Sequence, residues 1–221
     1  MWNRKIGAMA LIIAITLSIF GFAYAHWSDT VTIEGTVQMG GMTLAFDPDE
    51  ILDYVDNEPL LPEPKDVGWA EIYYDPASYV QDVHTNKSGY KILVFKIHDA
   101  YPQYRVDFTT VVLHNIGTIP LHITGVNVWD PTGELNWTWT TPPPTSPALG
   151  VFWKDFDGDG VYDVDDEEIM NVKFVNFVCV QLEPCESTKG EVDIDFKQPA
   201  EECHTYYFAI SFEAIQWDKA P

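Results

Sequence analysis

Residues 204–217 read HTYYFAISFEAIQW. Tyr206, Phe208, Ile210 and Phe212 occupy every second position. A period of two sends successive side chains to opposite faces of a strand, so one face here is apolar and needs covering. The same period recurs upstream. Val192, Ile194 and Phe196 alternate with Glu191, Asp193, Asp195 and Lys197. Val106, Phe108 and Val112 alternate with Asp107, Thr109 and Val111, and Val31, Ile33, Val37 and Met39 share a face opposite Thr32, Glu34 and Gln38. Stretches 90–97 and 174–182 are more continuously apolar, as central strands are. Gly40-Gly41, Asn115-Ile116-Gly117, Asp130-Pro131-Thr132-Gly133 and Lys189-Gly190 give turn signals between them. Helical periodicity is confined to short stretches near 50–55 and 166–170. Many strands with Gly/Pro turns predict an all-β, jelly-roll-like β-sandwich, with a closed barrel as the alternative.

The 221 residues include 34 Asp and Glu against 12 Lys and Arg, a formal charge of −22. Apolar residues make up 46%, too many for a disordered acidic tail. The length suits a single domain or two small ones. An anionic surface repels phosphate, which argues against nucleic acid and against docking on anionic lipid. It fits a soluble surface, cation binding, or a halophilic or extracellular setting.

The N-terminus has its own logic. Asn3-Arg4-Lys5 is a short positive region, residues 6–22 are apolar save Thr16 and Ser18, and Ala23-Tyr24-Ala25 is a small-x-small cleavage site. Together residues 1–25 predict a secretory signal peptide, with an uncleaved anchor as the alternative. The expected mature chain starts near His26, is secreted, and has no membrane attachment. Residues 26–40 then form an N-terminal strand and 41–221 the sandwich domain.

Export permits disulfides. Of Cys179, Cys185 and Cys203, the second sits in a Leu-Glu-Pro-Cys turn, the third opens the last strand, and the first lies in an apolar run. The expected bridge is Cys185–Cys203, with Cys179 buried and free. Two segments read as insertions. Residues 47–66 hold eight acidic residues and four Pro, and 140–147 read TTPPPTSP, a stiff polyproline-like loop. Asn86-Lys87-Ser88 and Asn136-Trp137-Thr138 are N-glycosylation sequons.

Residues 155–166 read DFDGDGVYDVDD. Asp155, Asp157 and Asp159 fall at positions 1, 3 and 5 of a calcium loop, and Gly160 at position 6 permits the sharp turn. The Val161 carbonyl, Asp163 and Asp166 take positions 7, 9 and 12. Calcium wants six to eight oxygens in a flexible cage, and alternating carboxylates around a glycine turn supply them. The pattern resembles the dockerin-type calcium loop over these residues alone. No incoming helix precedes it, so the expectation is a structural calcium loop grafted into a β domain, set against an acidic turn that binds nothing specific.

Catalytic signals are sparse. His26, His84, His98, His114, His122 and His204 are scattered, and neither HExxH nor GxSxG occurs. His114 and His122 flank LHNIGTIPLHI and would face each other across a hairpin, as a metal or acid-base pair or as solvated side chains. Trp137 and Trp139 alternate on one face with Trp129 and Trp153 nearby. Core packing is their ordinary fate, and a sugar-binding platform is the alternative.

Three stretches carry a resemblance. They are AYAHWSDTVTIEGTVQMGGMTLAF (23–46), HNIGTIPLHI (114–123) and QLEPCESTKGEVDIDFKQPAEECHTYYFAISFEAIQW (181–217). In order, they resemble secreted proteins with the SipW-type signal, the TasA and camelysin group, and above all its archaeal relatives, the bundling pilins. Cys185 stands where that group usually has Gly, which suggests an added disulfide. The resemblance implies a jelly-roll subunit of an extracellular filament, a homopolymer built by donor-strand complementation. The donor would span 26–38, with Trp27, Val31, Ile33 and Val37 as its buried side chains. The alternation serves equally for a strand paired within its own domain. Calcium would stiffen each unit, and multivalent cations would bridge the acidic surfaces for lateral bundling. The rival readings are a monomeric glycan- or ligand-binding module and a camelysin-like metalloprotease.

Overall fold

The computed structural model describes residues 40–47, 54–57 and 68–219, with isolated positions 13, 15 and 16. Apart from those three positions, the expected signal peptide lies outside the described residues, as do the donor-strand residues Trp27, Val31, Ile33 and Val37. No helix among the described residues is long and apolar enough to cross a membrane.

The unit Gly40–Pro221 is an all-β sandwich of two antiparallel sheets. Its strands are β1 Leu44–Phe46, β2 Tyr54–Asn57, β3 Trp69–Tyr74, β4 Tyr79–Gln81, β5 Ser88–Tyr90, β6 Leu93–Ala100 and β7 Arg105–Asn115. Then follow β8 Leu121–Trp129, β9 Asn136–Thr141, β10 Ala148–Lys154, β11 Glu167–Val175, β12 Gln181–Leu182, β13 Ser187–Phe196 and β14 His204–Gln216. The larger sheet runs β4-β5-β1-β7-β13-β11-β10-β9, with β2 also on β7; the smaller runs β12-β8-β14-β6-β3. From β6 to β8 and from β11 to β14 the chain changes sheet at every connection. That alternate wrapping is the habit of a jelly roll.

The core lies between the sheets. Phe95 and Phe208 stack at 4.5 Å in its centre, and Phe108 meets Phe95 edge-on at 4.8 Å. All three are fully buried. Each such ring stabilises the fold by about 2–3 kcal/mol relative to exposure. The alternating residues of β13 and β14 face this core as expected.

On β7 the parity changes midway. Val106 and Phe108 face the core, but so do Val111 and Leu113 rather than Val112. The register explains it: Phe108 pairs with Val192 and Val111 with Gly190, so Thr109 and Thr110 oppose the single residue Glu191. This bulge flips every later side chain to the other face.

Other expectations need correction. Lys189-Gly190 is no turn: Gly190 sits inside β13 beneath the Phe177 ring, where a Cβ would lie 2.5 Å from the ring. The apolar run 174–182 breaks after Val175, and its tail returns as β12 in the opposite sheet. The expected helical stretch at 166–170 enters β11, and β2 falls within the acidic segment 47–66, paired with β7. Thr140 and Thr141 of the Pro-rich segment belong to β9. The remainder links β9 to β10 as antiparallel neighbours.

Candidate functional site

The acidic loop joins β10 to β11, and the pair Lys154 and Glu167 closes its base. Within it, short aspartate side chains turn back onto nearby amides, as Asp does readily. Asp155 accepts from the Gly158 amide at 2.7 Å and the Gly160 amide at 3.0 Å. Asp157 accepts from Asp159 and Asp159 from Val161. Gly158 and Gly160 have φ of 80° and 75°, a left-handed backbone that glycine adopts without penalty. The result draws one carboxylate oxygen each from Asp155, Asp157 and Asp159 to within 4.8 Å of one another.

Asp163 and Asp166 accept from amides as well. Asp166 accepts from the Phe156 amide at 3.2 Å and the Asp163 amide at 2.9 Å, tying the loop's two ends together, and Asp163 accepts from Asp165. Val161 is exposed. The donor set, hard oxygens spaced around a glycine turn, suits calcium chemistry, and of the five carboxylates Asp155, Asp157 and Asp159 are the ones that converge. The Asp159 amide draws the Asp157 carboxyl down, yet burial and repulsion from Asp159, Asp155 and Asp163 prevail and raise it above its ordinary value. Tyr162 anchors the loop. Its ring lies 5.6 Å from Trp153, and its hydroxyl donates to Glu168, which together with burial pushes the phenol up to about 12.

A second feature lies at β14. Strand β6 follows β14 only as far as the pair Ile210 and Leu93, whereas β8 follows it from Ala209 to Gln216. Among the described residues, 211–216 therefore pair on one side only. Beside that edge opens a groove of about 360 Å³ between the sheets. Met42, Leu44, Phe46, Ile92, Phe212 and Ala214 line it. Phe212 is held there by Phe46 at 5.8 Å and Phe177 at 4.9 Å. The chain enters the sandwich nearby. Gly41 donates to Thr118 Oγ1 and accepts from the Thr118 amide, and Thr43 accepts from the Ile116 amide. These bonds fix residues 41–43 to the β7–β8 connection, close to where Leu121 pairs with Gln216.

The cysteines do not pair. All three are free and exposed, which corrects both the Cys185–Cys203 bridge and the buried Cys179. Cys185 donates its amide to Asn115, at the Gln216 end of β14; Cys203 precedes the other end. Thirteen residues of strand separate those ends by roughly 40 Å, against the ~7 Å limit for bridged Cα atoms.

His114 and His122 do not face each other either. Strands β7 and β8 belong to different sheets, so LHNIGTIPLHI crosses the sandwich instead of forming a hairpin. His114 lies between Asp47 Oδ2 at 3.3 Å and Lys87 Nζ at 3.2 Å. His122 is beside Trp217. Trp137 and Trp139 pack against the core, and Trp153 is buried, so they form no open platform. Asn86 and Asn136 are both exposed, at a turn and at the start of edge strand β9. The one-sided pairing of 211–216 among the described residues was not predicted from the sequence. Its only trace there is that the stripe of 204–217 outlasts the apolar run 90–97 with which it pairs.

No protein-family model matches the chain, and no curated protein and no solved structure matches it.

Proposed function

We propose that the chain is an exported, non-catalytic subunit of an extracellular filament, with residues 26–38 of one copy serving as a strand for the next. The observation that carries this reading is segment 211–216 of β14, paired on one side among the described residues, beside a groove with Leu44, Phe46, Phe212 and Ala214 in its wall and Thr43, Lys91 and Ser211 among them. A strand added there would continue the line of β6. It would satisfy main-chain groups of β14 while its alternate side chains fill the groove between Phe46 and Phe212. Val31, Ile33 and Val37 are the apolar row suited to it. A contact between unlike surfaces that does not close on itself propagates into a fibre. Calcium in the 155–166 loop, held first by Asp155, Asp157 and Asp159, would stiffen the β10–β11 end.

Negative-stain microscopy tests this directly. The chain starting at His26 should form filaments, and a variant lacking 26–38 should stay folded and fail to do so. A synthetic peptide of residues 26–38 should bind that shortened variant. Particles of one size from the intact chain, with and without calcium, would refute the reading.

A further inference from the structure

The outer face of the smaller sheet carries an organised aromatic surface. On β3 the core takes Ala70, Ile72 and Tyr74, which sends Trp69, Glu71 and Tyr73 outward. Trp69 is 44% exposed and Tyr73 43%. Four residues apart on one strand, they stand about 13 Å from each other. The Trp69 indole lies flat on the His98 imidazole, centroids 3.7 Å apart and planes 9° from parallel. His98 Nε2 is 3.0 Å from Glu71 Oε1, and Lys96 Nζ donates to the same oxygen at 2.8 Å. The Lys96 ammonium also stands 5.8 Å over the Tyr207 ring. Trp69, Glu71, Lys96 and His98 are each held by a neighbour, so binding need not order them.

We infer that this face binds a neutral polysaccharide. The inference does not rest on the filament reading. A pyranose offers a C–H face that packs on an aromatic plane and a rim of hydroxyls that both donate and accept. Trp69 and Tyr73 supply two such planes. The carboxylate of Glu71 accepts and the ammonium of Lys96 donates between them, which matches neighbouring hydroxyls. Other occupants fit less well. Glu71 and Lys96 cancel, so the patch offers no field to a polyanion, and the chain's charge of −22 repels one. Protein interfaces are depleted of charge at their centres, whereas this centre is an ion pair.

The test is isothermal titration calorimetry of the folded chain with soluble hexamers of β-1,4-glucan, β-1,4-mannan and chitin, and with alginate as the charged comparison. At least one neutral hexamer should bind and alginate should not. Trp69→Ala and Tyr73→Ala should each weaken binding by about tenfold or more. Tyr79→Ala, which removes an exposed aromatic from β4 in the larger sheet, should leave it unchanged. All three variants should melt near the parent temperature; if Trp69→Ala does not fold, Tyr73→Ala decides. Absence of binding by every neutral hexamer overturns the inference. So does binding indifferent to Trp69 and Tyr73, or a Trp69→Ala defect confined to self-association, which would make the face a protein contact.

Discussion

Asn115 is completely buried where the chain crosses from the larger sheet to the smaller. Its amide nitrogen donates to the carbonyls of Ile119 at 2.9 Å and Leu182 at 3.1 Å, and its oxygen accepts from the Gly117 amide. One side chain thus satisfies three backbone groups from both connections at that pole. Asn115→Ala should cost about 2–3 kcal/mol, since buried groups lose their partners. A melting temperature lowered by less than a few degrees would contradict this. Asp82 plays a similar part in the turn between β4 and β5. The Thr85 amide, joined by that of His84, holds its carboxyl below the ordinary value against the opposing effect of burial. A depressed folded value means that this stabilisation is complete above the unfolded value near 3.9. It disappears as pH falls through the lower folded one. Parent protein should therefore lose stability below about pH 4, and Asp82→Asn should show a flatter acid limb with a melting temperature at pH 7 lower by roughly 2–4 °C. Residues such as Asn115 were visible in the sequence as turn signals. What they join was not, because a turn signal does not say whether the chain reverses within a sheet or crosses to another.

Among the elements, β13 and β14 were legible because their alternation runs unbroken over the core. Strand β7 was legible only to Phe108, since a bulge leaves no mark beyond two threonines. Strand β3 was opaque: WAEIYY is apolar or aromatic at nearly every position, so neither face announces itself. Gly190 misled because glycine ordinarily marks a turn, whereas here it makes room for Phe177. In the 155–166 loop the spacing predicts five carboxylates around one site, and three of them meet. Asp155, Asp157 and Asp159 converge, and all five carboxylates accept from backbone amides. If calcium binds, a concentration about a hundredfold above its Kd should stabilise the fold by about 2.7 kcal/mol. That corresponds to a melting temperature roughly 5–10 °C higher than in EDTA. Asp155→Asn should shrink the difference, because Asp155 would be a ligand and also ties Gly158 and Gly160. Equal melts in calcium and EDTA would dismiss the site.

At the scale of the molecule, the charge of −22 governs how copies meet. Self-repulsion between such surfaces falls with ionic strength, and divalent ions relieve it further. If the proposed filaments form, their light scattering should rise with calcium or magnesium and fall on chelation, while subunit addition along the fibre should persist. Bundles equally abundant in both conditions would exclude cation bridging. The sandwich itself was legible from composition and period. The one-sided pairing of 211–216 among the described residues was not, because pairing partners far apart in sequence are decided by where β6 happens to stop.

That pairing has a mechanical corollary. Strand β14 is clasped by β6 along its first half and by β8 along its second. A pull directed along its axis loads both ladders in shear, so their hydrogen bonds share the force and yield together. A pull across the axis would peel them open singly. A fibre joined through this strand would be strong under tension and weak under prying.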